Sequence, residues 1–237
     1  MKFCLHRQML YSGISGLFLF LTVWGCGSFN TKTNSNETTK STVQSEAKPT
    51  STAKKQVILF YGNSLTAGYG VEPSQAFPAL VGQKIDAAKL NYSVVNAGLS
   101  GETTAGGKSR ISWVMRQPVA VFVLELGGND GLRGLPLTAT RQNLQAIMDT
   151  VRRKSPQTTI VLAGMQIPPN MGTTYTKEFR GVFKELADKN KAILIPFLLE
   201  NVGGIPRLNQ ADGIHPTPAG HKIIANTVWQ VLRPLLK

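Results

Sequence analysis

The stretch QVILFYGNSLTAGYG, residues 56–70, sets the terms of the fold. Its first half, Val57-Ile58-Leu59-Phe60-Tyr61, is an apolar run without polar alternation, the pattern of a strand covered on both faces. Gly62 breaks the run and Ser64 follows in a turn of small residues. A doubly covered strand needs a sheet with helices on either side, and the rest of the chain supplies both. Similar apolar runs recur at 92–96, 119–126, 159–164 and 192–197. Helical periodicity fills 77–89, 103–116, 138–154, 173–190 and 218–235. Strand alternating with helix implies parallel strands. The expected fold is α/β: one three-layer α/β/α domain of flavodoxin-like type over 57–237, built on a five-stranded parallel sheet. In such sheets ligands bind beyond the carboxyl ends of the strands. The segments GNSLTAG, AGLSGET, GGNDGLRG and ADGIHPTPAGH should therefore gather on one edge.

The chain ahead of this domain has a different composition. Residues 1–27 place Lys2 and Arg7 before an apolar stretch and end in small residues, the layout of a secretory signal. The stretch is short for a bilayer-spanning helix, which needs about 20 apolar residues. Val23-Trp24-Gly25-Cys26 resembles a bacterial lipobox, so Cys26 is the expected lipidation site. Gly27 favours, by that resemblance, an exported protein anchored to the outer membrane. Residues 28–56 are rich in Ser, Thr, Asn and Lys, too polar to offset chain entropy, and read as a disordered tether. Such a tether would span roughly 30 Å.

The 237 residues carry 26 Lys and Arg against 13 Asp and Glu. The charges are scattered, and no aromatic-plus-basic groove suggests nucleic acid. Arg152-Arg153-Lys154 closes a helix, where cations complement the macrodipole. The two cysteines, Cys4 and Cys26, both precede the domain, which leaves no disulfide and no thiol nucleophile there. With only His215 and His221 inside it, a zinc site is not expected, though Asp and Glu could still hold a harder ion.

Acyl transfer by a serine needs an imidazole within reach, an acceptor to orient that imidazole, and donors for the oxyanion. His215 sits in Asp212-Gly213-Ile214-His215-Pro216, just before a helix whose cap and first position suit Thr217 and Pro218. His221 falls on the packing face of that helix with Ile224, Ala225 and Val228. His215 is therefore the favoured base, and Asp212 its partner through the tight turn. Glu125 and Asp130 are alternative carboxylates, read as structural groups bonded to loop amides. The Ser64 and Gly98 amides and the Asn129 side chain are the candidate oxyanion donors.

Gly62-Asn63-Ser64-Leu65, Gly98, Gly128-Asn129-Asp130 and Asp212-Gly213-Ile214-His215 resemble, in order, the four blocks of the SGNH (GDSL) hydrolases. The resemblance spans essentially all of 57–237. ELGGNDGLRG and MQIPPNMGTTY are similar to the branch of bacterial periplasmic thioesterases also described as lysophospholipases and arylesterases. The resemblance implies Ser64 as nucleophile, His215 as base and Asp212 as its partner. It implies an oxyanion hole of Ser64, Gly98 and Asn129, and no metal or cofactor. The G-x-S-x-G elbow of α/β-hydrolases is absent. One position departs from the pattern: Asn63 stands where the family usually has Asp. Asn is nearly isosteric and keeps an acceptor, so catalysis is expected to survive, with a shifted pH profile.

The function expected is hydrolysis of ester or thioester bonds in small acyl or lysolipid substrates by a membrane-tethered monomer. Leu99, Leu132, Leu135, Ile167, Pro168 and Met171 are candidate acyl-binding residues. An O-acetyl carbohydrate esterase and a non-catalytic surface lipoprotein are the competing readings.

Overall fold

A computed structural model describes residues 54–237. The signal segment, Cys26 and the tether up to residue 53 lie outside the described residues. Strand β1 (Gln56–Gly62) occupies the interior of a five-stranded parallel sheet of order β2-β1-β3-β4-β5. Its neighbours are β2 (Tyr92–Asn96) and β3 (Val121–Glu125), followed by β4 (Thr159–Ala163) and β5 (Ile193–Ile195). β3 is buried along its whole length, which explains its unbroken apolar sequence, whereas the edge strand β2 exposes Val95 and Asn96.

Five longer helices cover the sheet on both sides. Helix α2 (Phe77–Ala87) packs against α7 (Pro218–Leu232), while α3 (Thr104–Val114), α5 (Leu137–Lys154) and α6 (Thr173–Asn190) pack in series. The apolar faces of these helices bury side chains such as Phe77, Ile111, Leu144, Phe179 and Ile224. Each stabilises the fold by about 1.5–3 kcal/mol relative to an exposed side chain. Phe77 meets Phe60 of β1 edge-on at 5.6 Å, tying α2 to the central strand.

The expected elements are present: β2 and α6 keep their expected bounds, β1 and α5 run slightly longer, and the others are shorter. Thr103 is the cap of α3 rather than its first residue: its side chain accepts from the Gly106 N–H. β5 pairs with β4 only over Ile193–Ile195, because Pro196 has no N–H with which to extend the ladder. Two short helices were read from the sequence as turns: α1 (Ser64–Ala67) after β1 and α4 (Gly128–Leu132) after β3. Both open at the carboxyl edge of the sheet. The strand order turns back at β1, which has β2 on one side and β3 on the other. That is where doubly wound sheets leave a crevice.

Candidate active site

Ser64 is the first residue of α1 and is only 8% exposed. Asn63 caps this helix: its Oδ1 accepts from the Leu65 N–H at 2.9 Å and lies 3.4 Å from Ser64 Oγ. Gly62 has no alternative here, since a Cβ would stand 2.1 Å from Thr66 Oγ1 and 2.5 Å from Glu125 Oε2.

His215 arrives from the opposite end of the chain. Its turn is pinned by the Gln210 N–H on the His215 carbonyl at 2.7 Å and by a β-bridge between Asn209 and Pro216. Asp212 Oδ1 accepts from the backbone N–H groups of Ile214 and His215, at 2.9 and 3.0 Å. Its Oδ2 lies 2.6 Å from His215 Nδ1, and His215 Nε2 lies 2.9 Å from Ser64 Oγ. With Nδ1–H donating to the carboxylate, the neutral ring leaves Nε2 free to accept the serine proton. Hydrogen bonds from His215 and the Ile214 amide hold the Asp212 carboxyl down at about 2, so it is anionic throughout the neutral range. His221, by contrast, is buried between α7 and α2, where its Nδ1 accepts from the Phe77 N–H at 3.2 Å.

Asn129 lies in the first turn of α4, its Nδ2 donating to the Glu102 carbonyl at 2.9 Å. Gly98 does not offer its amide to the same place. Its N–H donates to Asn96 Oδ1 at 2.9 Å, and a Cβ there would come 2.3 Å from the Ala67 nitrogen. Gly98 is glycine for close packing against α1. Gly101, at φ +78° with open space around it, adjoins the Glu102 carbonyl that holds Asn129. The loop is anchored beneath by Arg110 of α3, which bridges Glu102, the Ala97 carbonyl at 2.8 Å and the ring of Tyr61 at 4.1 Å.

Residues 60–223 match the GDSL-like Lipase/Acylhydrolase family. The chain belongs to that family. It is 39% identical over 188 residues to Esterase TesA of Pseudomonas aeruginosa, covering 79% of this chain and 92% of that one. It is 36% identical over 185 residues to Thioesterase 1/protease 1/lysophospholipase L1 of Escherichia coli K12, covering 78% and 86%. A crystal structure of TesA superposes with a TM-score of 0.73 at 40% identity, over 76% of this chain and 100% of that one. As a GDSL-family acylhydrolase the chain is an enzyme acting on ester bonds.

Around this GDSL-family site the expected acyl-binding residues divide. Leu99, Leu132 and Pro168 are exposed, and Leu135 and Met171 are half-buried. Ile167 is a correction: at 6% exposure it belongs to the core, its side chain against Gly131. Two apolar residues were missed. Tyr69 is 53% exposed with its ring against His215, and Ile214, the residue before His215, is exposed. The position of Tyr69 in LTAGYG, directly beyond the serine helix, was the available signal. Among the described residues no group of three His, Cys, Asp or Glu could hold a metal ion.

Proposed function

We propose that this GDSL-family enzyme is a serine esterase and thioesterase working through Ser64, His215 and Asp212. The chain of hydrogen bonds from Asp212 through His215 to Ser64, at 2.6 and 2.9 Å, carries the reading. Ser64 Oγ bonds to the acyl carbon as its proton passes to His215 Nε2. The imidazolium, steadied by Asp212, returns that proton to the departing alkoxide or thiolate. Water then attacks the acyl-enzyme by the same route, releasing the carboxylic acid and restoring Ser64. The Ser64 N–H, the Asn129 side chain and the Gly101 N–H, in place of Gly98, are assigned to the oxyanion.

Small acyl esters and lysolipids are the proposed substrates. Four of the exposed large apolar side chains, Tyr69, Leu99, Leu132 and Ile214, come from the loops that bear the site, and an acyl chain laid over them would be partly desolvated. Export and lipidation at Cys26 are proposed on the amino-terminal sequence; loss of lipid labelling in Cys26→Ser would test them. The deciding experiment combines fluorophosphonate labelling with a chain-length series of esters and acyl-CoA thioesters. Labelling and turnover should both vanish in Ser64→Ala, with turnover extending beyond acetyl groups. Labelling that survives Ser64→Ala would refute the nucleophile, and turnover of acetyl esters alone would refute the substrate class.

A further inference from the structure

Glu125, the last residue of β3, is 1% exposed and receives three hydrogen bonds. The Asn63 N–H donates to Oε2 at 3.1 Å, the Thr66 hydroxyl to Oε2 at 2.7 Å, and the Asn63 side-chain amide to Oε1 at 2.8 Å. The third bond fixes which way the Asn63 amide faces. With its NH2 group on Glu125, its Oδ1 must turn toward the Leu65 N–H and Ser64. The orientation of the helix cap under the serine is thus decided by a carboxylate on a different strand.

We propose that Glu125 is a positioning residue for Ser64, acting through Asn63, and that the pair must carry one negative charge between them. The proposal rests on Ser64 being the nucleophile. An ionised Glu125 beside Asn63 gives every donor an acceptor. With Gln at 125 beside Asn63, an NH2 group meets another donor unless the Asn63 amide flips, and flipping takes Oδ1 off the cap. With Asp at 63 beside an ionised Glu125, two carboxylates face each other and one must hold a proton. With Asp at 63 and Gln at 125 the donors and acceptors match again, with the charge moved to the other partner.

No charged side chain touches Glu125 among the described residues. Arg110 of α3 comes to 3.5 Å of the Gly62 carbonyl but is bound to Glu102. Asp130 of α4 is taken up by Thr104, and His215 pairs with Ser64 and Asp212. Burial pushes the Glu125 carboxyl up to about 7 against the pull of its Thr66 and Asn63 hydrogen bonds. The wild-type pair is therefore matched from neutral pH upward. Asn63→Asp is matched only while one of its two carboxyls keeps a proton, that is, toward acid.

The test compares wild type, Glu125→Gln, Asn63→Asp and the double variant by Ser64 labelling rate, kcat and KM across about pH 5 to 9. Glu125→Gln should lower kcat about 10- to 100-fold with KM within about twofold. The double variant should return kcat to within about threefold of wild type, a rescue that independent sites would not show. The rate of Asn63→Asp relative to wild type should fall as pH rises, and the double variant should lose that fall. A double variant as slow as Glu125→Gln would overturn the pairing, as would Glu125→Gln with wild-type rate and profile. If Glu125→Gln alone does not fold, the double variant decides: folded and active supports the pairing, while unfolded or inactive overturns it. Ser64→Ala separates the two readings. If it is inert and the double variant is not rescued, only the pairing fails. If it stays active, the nucleophile assignment fails.

Discussion

The ring of Tyr69 lies 4.6 Å from that of His215, tilted by 45°. Gln210 ties their two segments together, donating to the Tyr69 carbonyl at 2.8 Å and the Pro216 carbonyl at 3.0 Å. Tyr69 thus packs against the imidazole. An aromatic contact of this kind contributes about 0.5–1.5 kcal/mol beyond its buried area. Tyr69→Ala should lower kcat/KM about 3- to 10-fold while Tyr69→Phe stays near wild type, measured on a soluble aryl ester.

Asp212 lies at the surface, and in the proposed mechanism its work is to orient His215. Asp212→Asn can keep both amide contacts through Oδ1, but its NH2 group then faces Nδ1 and stabilises the wrong tautomer. A loss in kcat of about 10³–10⁴-fold is expected, with the unfolding midpoint unchanged. Because the carboxyl titrates only near pH 2, its own protonation should cost no activity in wild type between about pH 4 and 8, read from the pH profile of kcat.

Alanine should destabilise the fold at both Gly98 and Gly101, for different reasons. At Gly98 the new Cβ would meet the Ala67 backbone, and overpacking should destabilise the fold by about 2–3 kcal/mol in denaturant melts. At Gly101 only the left-handed backbone resists, at about 1–2 kcal/mol. Asn129→Ala should lower kcat about 10²–10³-fold with little change in stability.

His221 gives stability a pH dependence of definite sign. Burial holds its imidazole down at about 4, against 6.5 for a free side chain. Between those values the unfolded chain binds more protons, so this residue's contribution is lost as pH falls from 6.5 toward 4, on the order of 2–3 kcal/mol in all. Glu125, held up at about 7, works the other way: the folded state binds more protons between about 4.5 and 7, and stability grows as pH falls. The two should largely cancel in wild type. His221→Gln should unmask a fold that is more stable at pH 5 than at pH 7, read from urea melts, and a variant as flat as wild type would contradict the assignment.

The sheet was legible because the doubly buried parts of strands such as 58–60 and 160–163 are wholly apolar, and α6 matched its expected bounds at both ends. Ser64, Asp212 and His215 could be placed because a parallel sheet sends every strand's outgoing loop to one edge. What escaped depends on contacts that spacing along the chain does not encode. Asn63 and Glu125 are 62 residues apart, and nothing local marks Glu125 as the acceptor for that amide. The Gly98 amide reads as an oxyanion donor in the sequence, yet Asn96 Oδ1 accepts its N–H and the Ala67 backbone packs against it. Ile167 reads as loop because it follows β4, yet the fold turns it inward against Gly131.

Ser64 and His215 are 151 residues apart, and the bond between them closes the site. Chain synthesis therefore sets an order of events. The serine and its cap emerge early and β1 can pair with β2 and β3, but no base stands near the hydroxyl until the last turn and α7 have been made and docked. On the proposed assignment the enzyme is its own timer, hydrolytically silent until the last turn and α7 dock and folding finishes.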